Sequence, residues 1–178
     1  MTRLAGPRVA LVPVPRDVAA AATRHDAPAT RAALAAVGLR PAPGWPHDDT
    51  ADALAGVVAD PETAEGTWLV VVDGEVVGDC GWHGPPDEDG VVELGYGLAA
   101  PARGQGLGTE TVGVLSAWTD SRPGVRLLAA RVLVGNEASL RLLARLGFVE
   151  HGSEPPYLRL VRAAPGAPLP RVRGRHVC

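Results

Sequence analysis

Three glycines alternate with other residues in RGQGLGTE, residues 103–110, between an apolar run ending at Leu98 and a segment with helical spacing. Such a loop presents several unpaired backbone N–H groups at the positive end of a helix, an arrangement that binds anions. Gly104, Gly106 and Gly108 lack Cβ atoms, so a phosphate can reach those N–H groups directly, and Arg103 adds a formal charge. A glycine-rich loop also serves simply to turn the chain, and the loop alone leaves both readings open. The spacing differs from the Gly-x-Gly-x-x-Gly of dinucleotide-binding folds. It differs equally from the Walker pattern, whose lysine is missing because the chain contains no lysine.

The elements that must position this loop can be read from periodicity. RVALVPVP (8–15) predicts a short strand interrupted by prolines, followed by alanine-rich helices over 16–23, 27–37 and 49–59. RPAPGWPHD (40–48) is too rich in Pro and Gly for either. TWLVVVDGEVVGDCGWHG (67–84) predicts two strands joined at Asp73-Gly74, and VVELGYGL (91–98) a third. Leu107, Thr111, Val114, Leu115 and Trp118 then fall on one helical face. A strand over 125–134, a helix over 136–148 ended by Gly147, and a final strand over 156–162 complete the pattern. The expected architecture is mixed α/β, with helices flanking one mostly antiparallel central sheet that contains a local parallel pair. Residues 1–163 are expected to form a single domain and 164–178 a flexible tail.

Composition limits the partners. The chain has 178 residues, a formal charge of -3 and 46% hydrophobic residues, enough for one substantial core and no general attraction to nucleic acid or anionic membrane. Two cysteines, Cys80 and Cys178, make neither a disulfide framework nor a metal cluster, so no metal is expected. No segment has the roughly 20 apolar residues that span a bilayer, and a cytoplasmic location is expected. All 17 basic residues are arginine and isoleucine is absent, which reads as the codon bias of a GC-rich genome.

RGQGLG (103–108) resembles the Arg/Gln-x-x-Gly-x-Gly/Ala signature of the GNAT superfamily of acyl-CoA-dependent N-acetyltransferases, with Arg103, Gly106 and Gly108 at its defining positions. NEASLRLLARLGF resembles the family's second element, an Asn followed by Ser or Ala, an apolar helix and Gly-Phe; Asn136, Ser139, Gly147 and Phe148 are in place. The wider pattern is most similar to the branch containing ribosomal-protein N-terminal acetyltransferases, over about residues 67–150.

The resemblance implies that the backbone around Arg103, Gly104, Gln105, Gly106, Leu107, Gly108 and Thr109 holds the pyrophosphate of acetyl-CoA. It also implies a V-shaped splay between two central parallel strands, here between residues 93–98 and 130–134, in which pantetheine lies. The N–H near Leu98 would contact the thioester carbonyl, and Asn136 would bond pantetheine or fix the turn. Glu93, among apolar sequence neighbours, is the first candidate base for direct attack by an amine in a ternary complex; it also fits an ordinary solvent-facing glutamate. His83 is the rival, and His47 a weaker one. The helix after Asn136 lacks the tyrosine that many family members use as an acid, which leaves Ser139 as acid, cofactor contact or helix cap.

The acceptor is expected to be a primary amine, either a protein N-terminus or a small molecule. Asp48, Asp49, Asp52, Asp87, Glu88 and Asp89 would attract a cation if they converge, and otherwise serve as helix starts and turns. Trp45 and Trp82 line a pocket or merely pack. A non-catalytic acyl-CoA-binding module on the same fold is the alternative function. Both a monomer and a homodimer are compatible with the sequence.

Overall fold

The computed structural model describes residues 2–59 and 66–168. Most of the 164–178 tail, with Cys178, lies outside the described residues. In chain order the elements are β1 (Leu4–Ala5), β2 (Ala10–Pro13), α1 (Arg16–Thr23), α2 (Ala27–Ala36), β3 (Arg40–Pro41), α3 (Thr50–Ala59), β4 (Thr67–Val72), β5 (Glu75–Trp82) and β6 (Val91–Leu98). A short 3-10 turn at Ala100–Ala102 leads to α4 (Leu107–Asp120), β7 (Leu127–Leu133), α5 (Glu137–Arg145), β8 (Val149–Glu154) and β9 (Tyr157–Ala163).

The strands form one sheet in the order β1-β2-β4-β5-β6-β7-β9-β8. Its pairs are antiparallel except β6 with β7 and the two-residue β3, which runs parallel to the start of β5. Asp73 and Gly74 both adopt positive φ, 47° and 78°, as a tight hairpin between right-twisted strands demands. Alternation along the strands sends Trp68, Cys80, Val92, Leu94 and Leu128 to one face, where α4 and α5 cover them with Leu115 and Leu143. Leu69, Val71 and Val76 face the other way, beneath α1, α2 and α3, which contribute Val18, Leu34 and Leu54. Each of the fully buried leucines removes apolar surface worth roughly 1.5–3 kcal/mol.

Three strands depart from the sequence reading. The segment 40–48 contains β3, whose Arg40 N–H donates to the Gly74 carbonyl. β1 pairs with β2 through only two residues. β8, VEHGSE, is largely exposed on both faces, so it carries no apolar alternation; its pairing with β9 along the sheet edge defines it.

Candidate active site

The glycine loop leads into α4 with no side chain capping the helix. Gly106 is the N-cap, in left-handed conformation with φ 81°, and Gly104 has φ 75°. Both conformations are costly for any residue carrying a Cβ. The N–H groups of Leu107, Gly108 and Thr109, in the first turn, have no intrahelical acceptor; that of Glu110 is the first with one, the Gly106 carbonyl at 3.2 Å. Two ties fix the loop. Arg103 Nε donates to the Leu98 carbonyl at 2.8 Å, so the loop is held to the end of β6. Arg8 Nη1 donates to the Gln105 carbonyl at 3.0 Å, while Glu110 accepts from the Arg8 and Val9 N–H groups and from Arg8 Nε. Burial opposes ionisation of Glu110, but these donors outweigh it and hold its carboxyl below the usual range. The Gln105 side chain turns back to the Pro101 carbonyl.

β6 and β7 pair over only three residues, Val91–Glu93 with Leu127–Ala129, and then part. Beyond that point, among the described residues, β6 pairs only with β5, and β7 only with β9. His83 N–H donates to the Glu93 carbonyl and Ala99 N–H to the Val77 carbonyl, which fixes the phase of the β5–β6 ladder. Gly95 and Gly97 therefore bond towards β5, while the N–H groups of Tyr96 and Leu98 point into the opening between β6 and β7. The opening continues into a cleft of roughly 480 Å³ whose lining includes Glu93, Tyr96, Arg131, Asn136, Ser139 and Tyr157.

On the α4–α5 side of this opening, Asn136 caps α5: its Oδ1 accepts from the Ser139 N–H at 3.2 Å. Ser139 is thus the capped residue, and its hydroxyl faces Tyr96. The Tyr96 Oη is buried without an aligned hydrogen-bond partner among the described residues. Burial raises the Tyr96 pKa, and the nearby Ser139 works weakly against that.

On the other face, β6 presents Glu93, Gly95 and Gly97. Glu93 is ringed by charge rather than by apolar side chains: its Oε1 accepts from Arg131 Nε at 2.7 Å and lies 3.3 Å from His83 Nδ1. The two glycines leave a bare strip on which two histidines lie. A Cβ at Gly95 would sit 2.8 Å from His83 Nε2, and one at Gly97 2.4 Å from His47 Cε1. Gly97 is also the register partner of Asp79. Asp79 is 2% exposed, and its Oδ2 accepts from Trp45 Nε1 at 3.0 Å and Thr50 Oγ1 at 2.8 Å, with His47 Nε2 at 3.3 Å. Burial disfavours the His47 imidazolium, yet Asp79, Asp49 and the Gly97 carbonyl outweigh it and raise the His47 pKa above its ordinary value.

Of the acidic residues in the two loops, Asp49 and Asp52 line the cleft. Asp87 turns its own loop instead, accepting from the Asp89 and Val91 N–H groups at 3.0 and 2.8 Å. Trp82 lines the cleft and packs edge-on against Trp118, while Trp45 is buried against Asp79. Cleft residues not singled out in the sequence include Asp79, Tyr96, Arg131 and Tyr157. The available signal for Asp79 was a lone carboxylate inside the apolar run VVGDCGW.

A mixed sheet that splays between two parallel strands, beside an uncapped glycine-rich helix end, defines an acyl-CoA-dependent transferase. A sequence profile for the acetyltransferase (GNAT) domain matches residues 8–149. The chain belongs to that family and is an acetyl-CoA-dependent acetyltransferase. The uncharacterised N-acetyltransferase YjdG of Bacillus subtilis (strain 168) is 30% identical over 112 residues, which span 59% of this chain and 67% of YjdG. Among solved structures, a ribosomal-protein-S5-alanine acetyltransferase from Vibrio fischeri aligns with a TM-score of 0.67, 14% identity, and coverage of 95% and 100% of the two chains. Mycobacterium smegmatis RimJ, in complex with a CoA-disulfide, gives 0.62, 22%, and 92% and 86%. A RimL ribosomal L7/L12 alpha-N-protein acetyltransferase in complex with coenzyme A gives 0.66, 16%, and 91% and 98%.

Proposed function

We propose that the protein transfers acetyl from acetyl-CoA to the primary amine of a peptide N-terminus or a small cationic molecule, by direct attack in a ternary complex in the cytoplasm. The observation that carries this reading is the parting of β6 and β7 after Glu93 and Ala129, with the Tyr96 and Leu98 N–H groups aimed into the gap. The fit to acetyl-CoA rests on the bare, uncapped turn at Gly104–Thr109. The amides there, with Arg103, hold the pyrophosphate, and the open edge of β6 pairs with pantetheine. Bound in this way, acetyl-CoA supplies the activated acyl group.

The Leu98 N–H, whose own carbonyl is occupied by Arg103, stabilises the developing oxyanion. Asn136 orients the pantetheine end of the slot, and Ser139 with the adjoining Tyr96 hydroxyl returns a proton to the leaving thiolate. On the acceptor face Glu93, held by Arg131 and with His83 beside it, orders the mouth through which the amine enters. Direct attack is favoured over an acyl-enzyme because Cys80 is buried, and burial with Asp79 beside it pushes its thiol well above the ordinary range. The ribosomal-protein specificities of the structural relatives make peptide N-termini the first acceptors to try.

Thermal unfolding with acetyl-CoA, CoA, ATP and NAD in parallel tests the donor half. A ligand at about 100 times its dissociation constant stabilises by roughly 2.7 kcal/mol, a shift of several degrees. Thiol release with an amine panel tests the transfer. A rise with ATP or NAD and none with either CoA species would overturn the assignment.

A further inference from the structure

Building on the acetyl-transfer reading, we infer that His47, seated over Gly97 and held by Asp79, forms the floor of the acceptor site and takes the proton from a cationic primary amine. Four observations carry this. The imidazole lies against the face of Gly97, between the two residues whose N–H groups enter the gap, Tyr96 and Leu98. It therefore meets an acyl group in the splay from the side opposite α4 and α5. Only glycine at position 97 leaves room for the ring, because a Cβ would overlap Cε1 and Nε2.

The ring is also oriented from behind. Asp79 is buried, and Thr50 bridges it to the His47 backbone: Thr50 Oγ1 accepts from the His47 N–H at 3.1 Å and donates to Asp79 Oδ2 at 2.8 Å. Trp45 Nε1 donates to the same oxygen. A carboxylate taken out of water needs this set of donors, and its remaining charge acts on His47 Nε2 at 3.3 Å. With Nε2 facing Asp79 and the Gly97 carbonyl beside the ring, Nδ1 is the nitrogen assigned to the acceptor's proton. The His47 side chain is 10% exposed, and Nε2 has no aligned hydrogen-bond partner among the described residues.

The charge of the site selects a cation. Asp49 and Asp52 line the cleft on the His47 side, and Asp49 acts on the imidazole electrostatically. The titratable groups facing His47 are Asp79 on β5 and Asp49 on its own loop. Farther along the cleft stand Asp52 on α3, Cys80 on β5, His83 after it, Glu93 and Tyr96 on β6, and Arg131 on β7. Arg131 is engaged by Glu93, so the unopposed charge beside His47 is negative.

An ammonium group enters and gives one proton to neutral His47 Nδ1. The freed amine nitrogen forms the C–N bond to the acetyl carbon, and the C–S bond breaks. The nitrogen's surplus proton passes to the leaving thiolate by way of the Ser139 side, and His47 releases its proton to solvent.

The test measures thiol release from acetyl-CoA with a short peptide bearing a free N-terminal alanine, and with spermidine, across pH 5–9, alongside acetyl-CoA thermal shifts. For the wild type, log(kcat/KM) should rise with unit slope through an apparent pKa above the ordinary histidine value. That pKa should coincide with the titration of the His47 ring followed by NMR. His47→Gln should lower kcat roughly 100-fold or more and move the limb to the pKa of the amine itself, with the acetyl-CoA shift unchanged. An active wild type whose limb does not follow the His47 titration, or a His47→Gln variant with unchanged kcat and profile, overturns the inference and leaves acetyl transfer standing. A wild type that acetylates neither amine while acetyl-CoA raises its midpoint overturns the proposed acceptor class and this inference with it.

Discussion

Glu93, in the last rung that joins β6 to β7, accepts at Oε1 from Arg131 Nε at 2.7 Å. The pair spans the two strands at the place where they begin to separate, so it fixes the mouth of the opening rather than the core. Arg131 is half exposed and its charge is screened, so Arg131→Met should change unfolding free energy by less than about 1 kcal/mol. It should instead raise KM for the amine, with acetyl-CoA affinity unaltered. A matched loss of acetyl-CoA binding in calorimetry would place the pair on the donor side.

Two glycines of the same helix should respond to alanine with opposite signs. Gly106→Ala forces a Cβ into φ 81° at the start of α4, a conformation that costs about 1–2 kcal/mol, and sets that atom 3.3 Å from Arg8 Nη2. Denaturant unfolding should show that loss together with weaker acetyl-CoA binding. Gly113→Ala, in mid-helix with its nearest new contact at 3.8 Å, should gain about 0.5–1 kcal/mol and leave binding alone.

Tyr96→Phe removes a buried hydroxyl that has no aligned partner among the described residues, so stability should hold or rise slightly. If that hydroxyl and Ser139 together return the proton to the thiolate, kcat should fall about tenfold or more in Tyr96→Phe and in Ser139→Ala. The double variant should then be little worse than either single one. Additive losses in a double-mutant cycle would separate their roles.

Glu110 gives a stability term with a defined sign. Its folded pKa is depressed, so its contribution is present above the unfolded carboxylate value and is lost as pH falls through the lower, folded one. Glu110→Gln should therefore destabilise at neutral pH and converge with the wild type in acid. Equal destabilisation at every pH, in paired denaturant titrations, would mean that geometry rather than charge holds Arg8.

Much of the donor half was legible because its chemistry is local. Gly104, Gly106 and Gly108 mark a turn and a helix start within a few residues, whereas the cap of α5 falls on Asn136 rather than on Ser139, where the sequence had offered it. The acceptor half is assembled across the chain. His47 meets Asp79 and Gly97 only after a helix, a hairpin and a third strand have folded, and no spacing along the sequence encodes that meeting. The alternation GYG at Gly95–Gly97 was readable as a strand; that its glycines clear a floor for two imidazoles is visible only once His47 and His83 lie on it. β8 was missed because an edge strand exposed on both faces needs no apolar pattern, only a neighbour to pair with.

The brevity of the β6–β7 ladder has a consequence for what a protection experiment would register. A sheet joined through three residue pairs at its middle leaves the Tyr96 and Leu98 amides without a strand partner, and those protons should exchange with solvent far sooner than the Gly97 amide between them. A pantetheine arm laid along that edge would slow the fast pair and leave its neighbour unchanged. The footprint of the donor would thus be an every-other-residue imprint on a single strand, in which the ligand takes the part of a missing piece of backbone.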